Sequence, residues 1–285
     1  MENAIVAKNL SKSYGKKSAI KGLDFQIPSG RILGLIGPNG SGKTTTLKAI
    51  LGLTTFDGEL SVLGMNPYTQ RDALMNEVCF IADVAILPKW LKVKDAIDFV
   101  EGVHPKFSRA KAEAYLAKTK LDMNMQVKAM SKGMVVQLHL ALVMAIDAKL
   151  LVLDEPTLGL DILYRKMFYQ HLLEDYFDAN KTIIITTHQV EEVEHILTDL
   201  MFIQDGKIVL QASMDAVAER FVEVMVGAES QAAALALQPI DQRASFGKTI
   251  MLFDGVDQQQ LRHLGETRIP NIADIFVASM KGTYQ

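Results

Sequence analysis

Cysteine is almost missing from this chain of 285 residues: Cys79 stands alone. A disulfide framework is thereby excluded, and a reducing compartment is the natural expectation. Cys79 sits in the apolar run Val78-Cys79-Phe80-Ile81 and reads as a small core residue. An excess of one charge is also lacking. Thirty basic against 33 acidic residues leave a net charge of −3, so no overall basic field points to nucleic acid. No window of about 20 residues is free of charged and polar breaks, as a transmembrane helix requires. The nearest candidate, Leu138 to Leu153, is interrupted by His139, Asp147 and Lys149. Nor does Met1-Glu2-Asn3-Ala4 open like a signal peptide. Any work at a membrane therefore requires another chain to span it. Internal repeats and extended low-complexity segments are missing too. What remains, 49% hydrophobic and 22% charged, is a globular composition with material for a sizeable core.

What is present begins with Gly37-Pro38-Asn39-Gly40-Ser41-Gly42-Lys43-Thr44-Thr45, directly after the apolar Ile32 to Ile36. The stretch fits G-x-x-x-x-G-K-[ST], with Gly37, Gly42, Lys43 and Thr44 at the fixed positions. A loop that wraps phosphates must turn its N–H groups inward, and glycines leave room for that. The helix expected after Gly42 adds its positive end, Lys43 a point charge for the β- and γ-phosphates, and Thr44 a hydroxyl for Mg²⁺. These residues predict a nucleoside triphosphate site.

Patterning around the loop gives an α/β organisation. Short β-rich runs cover Ala4 to Ala7, Ser18 to Ile27 and Arg31 to Ile36, and further strands are expected at Gly58 to Gly64 and Glu77 to Ala82. From about Asp83 to Ala148 the apolar spacing is helical, as in Val93-Ala96-Ile97-Val100. Leu150 to Leu153 and Thr182 to Thr186 are continuous apolar or β-branched runs, suited to strands buried on both faces of a parallel sheet. Asp205-Gly206 signals a hairpin between two more strands. The expectation is an α/β nucleotide-binding core with a helical insertion. Beyond about Met214 the character changes to short strands and polar stretches such as Gln258-Gln259-Gln260, a small α+β appendage.

Two carboxylates end the first buried run, in Leu153-Asp154-Glu155-Pro156. Asp154 can support Mg²⁺ beside Thr44, which leaves Glu155 to polarise a water near the γ-phosphate. His188 follows the second run and should emerge at the same sheet edge, where its imidazole can reach the γ-phosphate or the water.

Together these residues resemble the ATP-binding subunit of an ABC transporter, over about residues 3 to 212. Gly37 to Thr45 is similar to Walker A, Leu150 to Glu155 to Walker B, Thr157 to Asp161 to the D-loop and His188 to the switch histidine. The resemblance implies a P-loop cassette at 1–212 with an N-terminal antiparallel β-subdomain, a helical insertion at about 84–149 and an α+β appendage at 213–285. It implies ATP and Mg²⁺ as cofactors, with Tyr14 stacking on adenine, Asn39, Gly40, Ser41 and Thr45 in the phosphate loop, and Asp161 at the nucleotide. Stacking of this kind is worth about 1–3 kcal/mol, by analogy with single-strand binders.

The signature segment departs from the family's usual Leu-Ser-Gly-Gly-Gln: here it is Met130-Ser131-Lys132-Gly133-Met134. Ser131 and Gly133 are retained, the residues expected to touch the γ-phosphate of ATP bound to an opposite subunit. Ser-Lys-Gly-Met is similar to a bacterial subgroup with six-helix, ABC-2-like permeases, some linked to GntR-type regulators. Counting back from Leu91 and Val93 places Asp83 where the family has its Q-loop glutamine. Asp83 can also ligate Mg²⁺, but it is shorter and adds negative charge, so slower hydrolysis is expected. Trp90 lies where the family meets its permease; an interface anchor and a packed core residue fit equally.

The implied mechanism is a head-to-tail dimer, with itself or a related subunit, that closes on ATP and drives a separate permease, as an exporter. Glu155, His188 and Lys43 carry the chemistry. Localisation follows as cytoplasmic, on the inner face of the membrane and held there only through the permease. A soluble ABC-type ATPase of ribosomes or DNA would instead carry two cassettes, coiled-coil insertions or zinc-binding cysteines. A regulatory module with weak hydrolysis is the third reading, suggested by Asp83.

Overall fold

β1 (Asn3–Tyr14) and β2 (Lys17–Pro28) pair as an antiparallel ribbon with several register shifts, β2 alternating buried and open positions over most of its length and Tyr14 lying opposite Lys17 beside the turn. The apolar β3 (Ile32–Ile36) is buried throughout and runs into the phosphate loop, after which α1 (Lys43–Ile50) begins. β4 (Asp57–Val62) returns to β1 and completes a sheet in the order β2-β1-β4. This is the expected N-terminal antiparallel subdomain. The computed structural model describes residues 2–81, 87–158 and 162–281, the Asp175 side chain excepted.

A short α2 (Arg71–Met75) precedes β5 (Val78–Ile81). Next come α3 (Val93–Val103), α4 (Arg109–Leu116) and α5 (Lys132–Met144), packed on one apolar cluster that includes Ile97, Leu116 and Leu138. The helical insertion is thus present between strands of the core. β6 (Leu150–Asp154) and β7 (Thr182–Thr187) are buried at every position, with α6 (Ile162–His171) between them in sequence. After α7 (Val190–Val193), β8 (Asp199–Gln204) and β9 (Lys207–Ser213) form the expected hairpin, with Asp205 and Gly206 both at positive φ. The six-stranded sheet has the order β5-β6-β7-β3-β8-β9 and is parallel except for β9. Continuous apolar runs thus became strands covered on both faces.

In this register Ile36 lies beside Thr187, and Asp154 beside Thr186. The C-terminal ends of β3, β6 and β7 therefore converge at one sheet edge, where open α/β sheets bind ligands.

The remaining elements are α8 (Met214–Arg220), β10 (Phe221–Val226), α9 (Gln231–Ala236), β11 (Asp241–Ser245), β12 (Lys248–Asp254), α10 (Gln258–Arg262), β13 (Gly265–Arg268) and α11 (Ile272–Lys281). From β10 to β13 the order is βαββαβ, and the antiparallel sheet runs β11-β12-β10-β13. This is the split βαβ, ferredoxin-like arrangement. α11 begins at Ile272, just after Pro270-Asn271, and proline's missing N–H suits the approach to a helix. α11 joins the two sheets: Phe276 packs edge-to-face on Phe202 at 5.2 Å, and Ile275 shares a buried cluster with Leu200 and Leu252. Among the described residues no helix is long and apolar enough to cross a membrane.

Candidate active site

The phosphate loop is held from below. A Cβ on Gly37 would collide with the Ile203 carbonyl, and one on Gly42 would come within 2.8 Å of the Ala19 carbonyl. Gly42 caps α1 at φ 116°, a conformation that favours glycine. Having no side chain, it offers no cap. The backbone N–H groups of Gly42, Lys43, Thr44 and Thr45 make no hydrogen bond among the described residues, so they remain for an anion. Ser41 Oγ is likewise buried without a partner. Lys43, only 7% exposed, donates from Nζ to the carbonyls of Gly37 (2.6 Å) and Pro38 (3.2 Å). Burial pushes the pKa of its ammonium down, while the charges of Glu155 and Asp154 pull it back. Free amides, an orphaned hydroxyl and a buried ammonium together suit a polyphosphate.

The acids sit opposite. Thr44 Oγ1 donates to Asp154 Oδ2 at 3.3 Å, and Thr186 Oγ1 donates to Asp154 Oδ1 at 2.5 Å. Thr44 and Asp154 thus present hard oxygen donors side by side, which fits Mg²⁺. Glu155 has φ 49°, and its N–H is held by Thr186. Its Oε1 accepts a hydrogen bond from His188 Nδ1 at 2.9 Å. A carboxylate only accepts, so this contact puts the neutral imidazole's proton on Nδ1 and leaves Nε2 available.

Tyr14, Asn39, Gly40, Gly42, Lys43, Thr44, Thr45, Asp154, Glu155 and His188 line one cleft of about 620 Å³. Gly37 and Ser41 are buried and do not line it. Tyr14 is 49% exposed where it lines the cleft, with the Lys12 ammonium 5.2 Å from its ring centroid. Ser131 and Gly133 are not in this cleft. Ser131 is exposed, caps α5 and accepts the Met134 N–H at 3.3 Å; the Tyr164 ring packs so closely on Gly133 that a Cβ there would collide with it. Asp83 and Asp161 lie outside the described residues. The sequence reading missed Lys17, Ala19 and Leu158, which also line the cleft. Lys17 could have been found as the basic residue facing Tyr14 across the Gly15 turn. Leu158 falls within the segment similar to the D-loop, and Ala19 carries no such signal. Trp90 is 67% exposed, so it is not packed inside the insertion.

Comparison with known proteins gives the family and the fold. The profile described as "ABC transporter" matches residues 20–158. Nod factor export ATP-binding protein I of Rhizobium johnstonii is 30% identical over 293 residues, covering 96% of this chain and 94% of its own length. The protein of the same name from Burkholderia orbicola is 34% identical over 218 residues, covering 74% and 71%. Among solved structures, an ATP-binding subunit of an ABC transporter superposes with a TM-score of 0.65 at 22% identity, over 75% of this chain and 91% of that one. The cbiO1 subunit from Clostridium perfringens gives 0.65 at 22% identity, over 76% and 91%. At that identity the structures speak to the fold.

Proposed function

Because the chain belongs to the ABC transporter family, as an ATP-binding subunit that hydrolyses ATP to drive transport, we propose that it closes head-to-tail with a second cassette to power export through a separate permease. The observation that carries this is the split of the nucleotide machinery. One chain puts Lys43, Asp154, Glu155 and His188 in a cleft, and leaves Ser131 and Gly133 outside it. A second subunit, identical or related, would bring its own Ser131 segment over that cleft. The names of the export relatives support the direction of transport and favour this reading over a ribosome- or DNA-directed ATPase.

Each residue then has a task. Tyr14 stacks on adenine, and the loop amides and Lys43 hold the β- and γ-phosphates. Thr44 and Asp154 would hold Mg²⁺, which when bound offsets phosphate charge. Glu155 orients and deprotonates the attacking water. His188 holds the Glu155 carboxylate through Nδ1; its Nε2 is an acceptor in the neutral ring and would reach a γ-phosphate oxygen only on gaining a proton. Lys132, exposed on the first turn of α5, adds positive charge toward the facing nucleotide. Residues 1–212 act as the cassette and 213–285 as its appendage. The exposed Trp90 suits a permease contact at the inner face of the membrane.

The test is Glu155→Gln. The variant should still bind ATP and form a more persistent ATP-dependent dimer on gel filtration. Its turnover should fall about 100-fold or more, the scale of a lost general base. Full turnover would remove Glu155 from the role assigned here.

A further inference from the structure

One side chain outside the motifs touches both acids. Thr186 is fully buried in β7 and lies beside Asp154 in the ladder with β6. Its hydroxyl donates to Asp154 Oδ1 at 2.5 Å and accepts the Glu155 N–H at 3.2 Å. Its carbonyl accepts the same N–H at 3.1 Å. A hydroxyl has one proton to give and lone pairs to receive. Donation to a carboxylate therefore fixes the direction of both bonds.

The consequences differ for the two acids. Asp154 has Oδ1 occupied, so Oδ2 is the oxygen that meets Thr44 Oγ1 at 3.3 Å. Glu155 is held at φ 49°, a left-handed conformation that a side-chain-bearing residue keeps only when its surroundings enforce it. That turn of the backbone aims its carboxylate at His188, 2.9 Å away. We propose that Thr186 is the positioning residue that sets the orientation of Asp154 and Glu155 together, so that metal support and water activation are tuned by one hydroxyl. The inference rests on the ATPase reading above.

Thr186→Val keeps the shape and β-branching of the side chain and exchanges the hydroxyl for a methyl. Asp154 Oδ1 then loses its buried donor, and the Glu155 N–H keeps only the carbonyl. Groups that orient ligands and acids from behind typically contribute about 10- to 100-fold to metal affinity or activity. Turnover of Thr186→Val should fall by about that factor. ATP affinity measured without divalent metal should stay within about threefold, and Mn²⁺ affinity of the ATP-loaded protein, read by electron paramagnetic resonance, should weaken. Thr186→Ser, which restores the hydroxyl, should recover turnover to within about threefold of the wild type. Should the valine variant fail to fold, Thr186→Ala is measured in the same way against Thr186→Ser. Wild-type turnover and Mn²⁺ affinity in a folded hydroxyl-less variant overturn the proposal, whatever its melting temperature. A wild type without Mg²⁺-dependent ATPase activity would overturn the underlying reading, a result distinct from equal activity in wild type and variant.

Discussion

Two acidic clusters, each with a nearly inaccessible carboxylate at its centre, are treated in opposite ways. In the C-terminal sheet Glu223 is 2% exposed, and both oxygens are taken by guanidiniums: Oε1 by Arg243 at 2.6 Å and Oε2 by Arg268 at 2.8 Å. Arg243 also bonds Asp274 at 2.9 Å, so two carboxylates meet two guanidiniums. In the cleft Asp154 is 7% exposed, yet its bonded partners are the hydroxyls of Thr44 and Thr186, and the nearby ammonium of Lys43 bonds carbonyls instead. Among the described residues neither Asp154 nor Glu155 bonds a lysine or an arginine. A cluster neutralised within the chain is complete. One left short of positive charge is prepared for a divalent cation and the phosphates that accompany it.

Removing the Lys43 ammonium should have the largest effect. Lys43→Ala deletes the ammonium proposed to hold the β- and γ-phosphates. ATP binding, followed with a fluorescent analogue, should weaken about 100-fold or more, on the scale of a lost donor in a preorganised anion site. Folding should not suffer, because burial already disfavours the Lys43 charge. Binding retained within about threefold would break the contrast.

The reverse result is expected in the C-terminal sheet. Glu223→Ala strands two arginines, but their side chains are 40% and 57% exposed and can rehydrate. The loss of stability should therefore be about 2 kcal/mol, below the 3–5 kcal/mol of a fully buried broken pair. Urea unfolding measures it, and ATPase activity per folded molecule should be unchanged. A fall in turnover without a fall in stability would give Glu223 a functional task.

This contrast explains what could be read beforehand. The phosphate loop, Asp154-Glu155 and His188 were legible because each is a local pattern tied to a strand end. Parallel pairing then brings those ends together, as the continuous apolar runs implied. Thr186 was not legible as a site residue. In Thr182-Ile183-Ile184-Ile185-Thr186-Thr187 it looks like one more β-branched strand residue, and only the ladder with β6 shows what its hydroxyl meets. Glu223 was hidden for the same reason, since its arginines come from β11 and β13. Short strands were expected in the C-terminal part, but the order β11-β12-β10-β13 is set by non-local pairing that no local pattern records. The left-handed backbone of Glu155 carried no signal either, because no glycine marks it.

The smallest effect is expected at a third acid, which links the core to α11. Glu194 follows α7, and its Oε1 accepts the Ile272 N–H at 3.2 Å at the start of that helix. Two influences compete there. The positive end of α11 favours a carboxylate by about 0.3–1 kcal/mol, and burial disfavours it. Burial prevails: desolvation holds the Glu194 carboxyl above its usual range despite the Ile272 N–H, with repulsion from Glu191 and Asp274 adding and His195 opposing. A raised pKa in the folded state means that folding favours the protonated acid. The Glu194 contribution to stability should therefore be fully present below the unfolded-state pKa and be lost as pH rises through the folded-state pKa. Glu194→Gln keeps an oxygen for Ile272 and removes the titration. In acid the variant should match the wild type, and at pH 8 it should be more stable by about 0.5 kcal/mol or less. Urea unfolding at the two pH values reads the difference. A wild type that proves the more stable of the two at pH 8 would mean that the helix end, and not burial, governs this carboxylate. Glu194 would then be a third way of neutralising an acid, by a backbone dipole in place of arginines or an incoming cation.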